Sequence, residues 1–230
     1  MYKTFELCPE AELSPYKTFE CGQCFRWNDD GSGAYVGVAS GRAARVYAAD
    51  GAARIECADG DLDFWRVYLD MDTDYAAARE SVMIGDYLTE CAEYGAGIRI
   101  LRQDKWEALC SFIISQCNNI PRIKGIVEKL CALFGEAFNT PWGVRYSFPS
   151  ASRVALLEEP ELAPLRAGYR AAYIIGAARA VASGEVDLEY AASLCGNEAR
   201  KYLKGLNGVG DKVANCAVLF GLHRMDAFPV

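Results

Sequence analysis

The chain has 230 residues, 52% of them hydrophobic, and a formal charge of −7; that is enough apolar material for one large or two modest cores. No uncharged apolar run reaches the roughly 18 residues of a membrane helix, and the opening "MYKTFELCPE" has no signal-peptide apolar stretch, so membrane and secreted classes are set aside and a cytoplasmic protein is expected. Ten cysteines follow no regular framework in a chain too large to need disulfides, and read as reduced thiols.

In chain order, residues 1–67 alternate short apolar stretches with turns: "CFRW", "NDDGSG", "AYVGVAS" and "ARVYAADGAARIECADG". Phe25, Trp27, Tyr35, Val36, Val38, Val46, Tyr47 and Ile55, punctuated by Gly, Asp and Asn, predict an antiparallel sheet of several strands. The period then changes. Residues 104–117 place Trp106, Leu109, Cys110, Ile113 and Cys117 on one helical face, and 122–134 repeat the pattern. Asn118-Asn119-Ile120-Pro121 separates them, with the proline suited to a first helical turn. "YRAAYIIGAARAVASG" predicts a helix stopped at Gly184, and 187–204 one more. The expected fold is α+β: an N-terminal antiparallel sheet domain, 1–67, then an α-helical domain, 68–230, containing a helix-hairpin-helix motif.

Cys21-x-x-Cys24 has no second pair, and His223 is the one histidine, so no metal or other cofactor is expected. Charge is uneven along the chain. Residues 1–98 carry 8 Lys/Arg against 18 Asp/Glu, net −10, and residues 99–230 carry 16 against 13, net +3. Between Arg200 and Arg224 five basic residues face one acid, Asp211, which suits either an anion-binding face or a solvated helix surface.

"LNGVGDKVANC" (206–216) sits in that basic stretch. Gly208-Val209-Gly210 reads as a tight turn whose small residues let a phosphate approach backbone N–H groups at the start of a helix. Lys212 then falls in the first helical turn, where the macrodipole disfavours a cation. A lysine there is poorly placed as an ammonium ion and well placed as an amine nucleophile, since the helix end and partial desolvation both disfavour its charged form. A phosphate across the hairpin, or an ordinary helix-helix turn with a solvent-facing lysine, accounts for it too. Cys216, four residues on, shares the helix face.

Together, "GQCFRW" (22–27), "LRQDKWEALCSFIISQCNNIPRIKGIVEKLCALFG" (101–135), "GYRAAYI" (168–174) and "LNGVGDKVANC" resemble the helix-hairpin-helix DNA glycosylases, and within them the 8-oxoguanine branch with a lysine nucleophile. The resemblance implies a monomer acting on double-stranded DNA that contains 8-oxoguanine, with the damaged base flipped into a pocket between the sheet and helical domains. It implies that Lys212 attacks C1′ and forms a Schiff base leading to strand nicking, that Cys216 lines the base pocket, and that the Gly22 carbonyl accepts from the N7–H that 8-oxoguanine has and guanine lacks. It also assigns Gly208, Val209 and Gly210 to the DNA backbone, Cys117, Asn118, Asn119, Arg122 and Arg170 to the opposite strand, and Tyr169 to wedging the stack.

Two departures from the family pattern bear on these expectations. Cys117 stands where the family has the first of three asparagines, as a natural variant or an introduced attachment point, which puts opposite-base selectivity in question. The sequence also ends at "DAFPV", where the resemblance implies that a catalytic aspartate follows at once, so a fragment with weak or absent activity of its own is expected. A non-catalytic DNA-binding hairpin module and a glycosylase for alkylated bases are the alternative readings.

Overall fold

The computed structural model describes residues 1–229 and contains two compact units, one formed by residues 1–38 and 42–102, the other by 39–41 and 103–230. The sequence reading places its boundary after residue 67; by packing, the first unit runs on to Arg102.

The first unit holds β1 (Tyr2–Pro9), α1 (Pro15–Glu20), β2 (Trp27–Asp29), β3 (Tyr35–Ala39), β4 (Arg42–Ala49) and β5 (Ala52–Ala58), followed by α2 (Leu62–Tyr68), α3 (Tyr75–Val82) and α4 (Gly85–Tyr94). The strands form one sheet in the order β1-β5-β4-β3-β2, with β1–β5, β4–β5 and β2–β3 antiparallel. The alternating runs in the sequence do not mark strand β1. Its burial does not alternate, because a bulge between Glu6 and Cys8 breaks the two-residue period. Of the "CFRW" run only Trp27 is in a strand.

Trp27 organises this core. Its ring stacks on Phe19 at 4.1 Å, meets Trp65 edge-on at 5.7 Å, and its Nε1–H donates to the Tyr68 hydroxyl at 3.0 Å. Gly37 lies opposite on β3, where a Cβ would come within 2.2 Å of the indole, so glycine is needed for the ring to lie flat on the sheet. Buried Arg99 explains why the unit extends past the sheet. Its guanidinium donates to the carbonyls of Glu12 (3.2 Å), Leu69 (3.1 Å), Asp70 (2.6 Å) and Thr73 (2.8 Å), sewing the segment after α2 to the loop after β1.

The second unit comprises α5 (Lys105–Ser115), α6 (Ile120–Phe134), the hairpin β6 (Ala137–Thr140) and β7 (Gly143–Tyr146), α7 (Ala151–Ala155), a 3₁₀ segment (Glu159–Leu165), α8 (Arg170–Ser183), α9 (Leu188–Ser193), α10 (Gly196–Leu203) and α11 (Asp211–Cys216), which continues as a π turn over Ala217–Gly221. The helix starts are written in the sequence as caps: Asp104 accepts from the Glu107 amide and Asn119 from the Arg122 amide. Gly184, in the left-handed region at φ 79°, ends α8 as expected. The single helix expected over 187–204 is corrected to two. Leu194 and Cys195 are extended, and the Gly196 amide that opens α10 donates to Asp226 Oδ2 at 2.9 Å, a partner thirty residues away that local periodicity does not reveal. The β6–β7 hairpin was likewise unassigned.

Arg99→Met should leave several buried carbonyls without a donor and lower stability by about 3 kcal/mol or more, read as a fall in the urea midpoint by tryptophan fluorescence. Arg99→Lys should not restore it, because an ammonium lacks the planar fork. Asp226 gives a pH test. The Gly196 amide, with Arg224, holds its carboxyl below the ordinary range. Its contribution is therefore complete above the unfolded-state value of about 3.9 and fades as pH falls through the lower folded value. Between about pH 5 and pH 3, Asp226→Asn should show a smaller drop in melting temperature than the wild type.

Candidate active site

The hairpin begins where α10 ends at Lys204. Backbone bonds from the Gly205 amide to Tyr202 and from the Leu206 amide to Leu203 close the helix, and the Val209 amide donates to Leu206. Leu206 and Val209 are buried and anchor the turn, while Gly208 takes φ +83°. The Tyr173 ring of α8 occupies the space beside it: a Cβ on Gly208 would lie 2.3 Å from a ring carbon. Gly210 is the N-cap of α11, with no side-chain bond to the first-turn amides, which leaves them available.

Lys212 is the second residue of α11, as the spacing implies, and its side chain is exposed. The partial desolvation expected from sequence is thus a point of correction: the surrounding groups do not cover the amine. The preceding carboxylate does not pair with it. Asp211 Oδ1 lies 2.8 Å from Lys204 Nζ and 3.7 Å from Arg200 Nη1 on α10, and among the described residues Lys212 has no ion-pair partner. Lys204 and Arg200 hold the Asp211 carboxyl below its ordinary range, so it stays an anion committed to them. Cys216 is buried one turn on. Burial pushes its thiol up and the Lys212 charge pulls it partly back. Among the described residues, a thiol pushed up by burial and a lysine without an ion-pair partner thus lie one turn apart on one helix face.

In the first unit, Gly22 is half-buried at φ +85° in the loop between α1 and β2. The loop is held by Gln23, which carries no assignment in the sequence reading. Fully buried, its Nε2 donates to the Thr18 carbonyl (2.9 Å) and the Arg99 carbonyl (2.8 Å), and its Oε1 accepts from the Leu101 amide (2.9 Å). A polar residue inside "GQCFRW" was the available signal. No disulfide joins Cys21 and Cys24, and burial raises the Cys21 pKa.

The residues expected on the opposite strand gather around the loop between α5 and α6. Cys117 is exposed at φ +46°, Asn118 Nδ2 donates to the Ile114 carbonyl, and the Asn119 side chain caps α6. Arg122 is exposed with one bond to the Arg166 carbonyl. Arg170 has a different task from the one expected. It is buried, and its guanidinium donates to the carbonyls of Gln116, Cys117 and Ala167, so it braces this loop from beneath. Tyr169 stays 53% exposed, enough to meet a ligand, with the Arg170 guanidinium 4.6 Å from its ring and Tyr173 edge-on at 5.7 Å. Gln116, Tyr169, Tyr173 and the turn 204–210 line one open cleft of about 590 Å³. Tyr173, also unassigned from sequence, was signalled by its four-residue spacing from Tyr169.

Among the described residues no helix is long and apolar enough to cross a membrane, and no group of His, Cys, Asp and Glu is placed to hold a metal.

Comparison with known proteins follows the same lines. Residues 7–109 match the family described as 8-oxoguanine DNA glycosylase, N-terminal domain. An N-glycosylase/DNA lyase of Saccharomyces cerevisiae is 42% identical over 146 residues, covering 58% of this chain, and the N-glycosylase/DNA lyase OGG1 of Arabidopsis thaliana is 32% identical over 236 residues, covering 96% of it. The chain spans 39% and 64% of the lengths of those two relatives. The Clostridium acetobutylicum 8-oxoguanine glycosylase/lyase, solved with duplex DNA containing cytosine opposite 8-oxoG, is 32% identical with a TM-score of 0.91 over all of this chain and 81% of its own. With its α+β fold, its helix-hairpin-helix and this likeness to a solved relative, the chain belongs to the 8-oxoguanine DNA glycosylase family.

Proposed function

We propose that the protein is a base-excision repair enzyme of the cytoplasm that removes 8-oxoguanine from duplex DNA and nicks the strand through a Schiff base on Lys212. The observation that carries this reading is a lysine at the start of the hairpin's second helix, exposed and, among the described residues, without an ion-pair partner, one turn from a buried thiol whose pKa burial raises. Attack needs a lone pair on nitrogen. The Nζ–C1′ bond forms as the C1′–N9 bond breaks, and the base, leaving with the bonding pair, takes up the proton that Nζ sheds; opening of the sugar ring then gives the iminium, and loss of a C2′ proton expels the 3′ phosphate and cleaves the backbone.

The other assignments divide the work. Gly22 is assigned to the lesion through its carbonyl, with Gln23 fixing its loop, and Cys216 to the wall of the base site. Gly208, Val209 and Gly210 grip a phosphate, Tyr169 fills the stack that the flipped base leaves, and Arg122 with Asn118, Asn119 and Cys117 faces the opposite strand. Arg170 acts through that loop as a positioning residue. Lys212 favours this reading over the alkylated-base alternative, whose lysine-free members lack the Schiff-base route.

Borohydride should trap the protein, as its gene encodes it, on duplex DNA containing 8-oxoguanine, and Lys212→Gln should abolish trapping while DNA binding persists. Trapping that survives in the variant refutes the assignment; duplex binding without lesion preference or trapping favours the non-catalytic module. Gly208→Ala tests the hairpin. Its added Cβ meets the Tyr173 ring at a positive φ, strain of order 1–3 kcal/mol or more, and duplex affinity should fall about tenfold or more. Gly210→Ala, at φ −84° with open space around it, should melt at the wild-type temperature.

A further inference from the structure

We propose that Asp211 sets how tightly the hairpin holds DNA by withholding Lys204 and Arg200 from the phosphate backbone. The inference rests on the DNA-binding reading above and adds a brake to it. Lys204 lies in the wall of the cleft that also contains Tyr169, Tyr173 and Gly208, so a sugar-phosphate strand following the hairpin toward the wedge residue would pass its ammonium group. In the structure that group is 2.8 Å from Asp211 Oδ1, and Arg200 approaches the same oxygen at 3.7 Å.

Exposed ion pairs are screened by salt, and the three side chains are 33% (Arg200), 41% (Lys204) and 59% (Asp211) exposed, so both cations stand within reach of a passing phosphate while the carboxylate already engages them. A carboxylate on the hairpin therefore lowers the sequence-independent part of DNA affinity without removing the residues that supply it. Contacts to the phosphate backbone dominate non-specific binding. Loosening them shortens residence on undamaged DNA while the groups assigned to the lesion, Gly22 and Cys216, are untouched. The ligand concerned is the phosphodiester backbone, of any base sequence.

The test is the salt dependence of affinity, measured by fluorescence anisotropy on one undamaged and one 8-oxoguanine duplex. Each phosphate newly neutralised steepens the slope of log K against log salt by about 0.9. Asp211→Asn should steepen it by roughly one to two such steps on both duplexes and tighten undamaged-DNA binding at low salt by about tenfold or more. Lys204→Gln alone, removing a cation already withheld, should leave the slope where it is. Combining Asp211→Asn with Lys204→Gln and Arg200→Gln should return the slope to the wild-type value.

An unchanged slope in Asp211→Asn overturns the inference. So does a gain that survives in the triple variant, since mere removal of a repelling carboxylate would then explain it. A shallower slope in Lys204→Gln alone overturns it too, and that variant decides the matter if Asp211→Asn does not fold. A wild type that fails to bind duplex DNA sinks the underlying reading along with it, whereas salt-dependent binding with unaltered slopes sinks this inference only.

Discussion

An amine can serve as a nucleophile, or as a phosphate ligand, only while no carboxylate claims it, and here a carboxylate is its immediate neighbour in sequence. The conflict is resolved by helix geometry. Consecutive residues on a helix point about 100° apart, so Asp211 reaches back to α10 while Lys212 and Cys216 share the next face. Two cations near the end of α10 hold Asp211 there. Arg200 and Lys204 thus matter to Lys212 through Asp211: they occupy the acid that immediately precedes it in the chain.

The second constraint is where the hairpin can sit, and α8 decides it. Tyr173 presents its ring to Gly208, leaving no room for a Cβ, while Arg170, three residues earlier, gathers the carbonyls of Gln116, Cys117 and Ala167. One turn of helix therefore positions both the bend assigned to the phosphates and the loop assigned to the opposite strand, and the exposed Tyr169 caps its start. Such a shared support resists independent movement of its two clients, because packed aromatic rings and a guanidinium bonded to three carbonyls admit few alternative arrangements.

Features set by local rules are legible in the sequence. Gly-x-Gly before an amphipathic run places Lys212 in a first turn, Asn and Asp mark the starts of α5 and α6, and Gly184 ends α8. What escapes is held by partners distant in the chain. The break between α9 and α10 depends on Asp226, the extent of the first unit on Arg99, and the posture of the Gly22 loop on Gln23 reaching Arg99 and Leu101. Arg170 is the instructive case. An arginine in a motif shared with DNA-binding relatives invites assignment to the ligand, yet its donors are spent on backbone carbonyls that would otherwise be buried without partners. Composition and spacing do not distinguish an arginine that binds from one that builds.

An acidic protein proposed to bind DNA must keep its charge from working against it. The net −10 of residues 1–98 and the net +3 of the remainder show that the repulsive charge is concentrated in one part of the chain and the hairpin lies in the other. Screening in physiological salt confines each surface charge to about 8 Å, so what a phosphate feels is its local neighbourhood rather than the total of −7. At the hairpin that neighbourhood is Lys212, Lys204 and Arg200 with Asp211 among them. Because one carboxylate there offsets part of a small positive cluster, a single proton-sized change in charge shifts the balance that a phosphate meets at the hairpin.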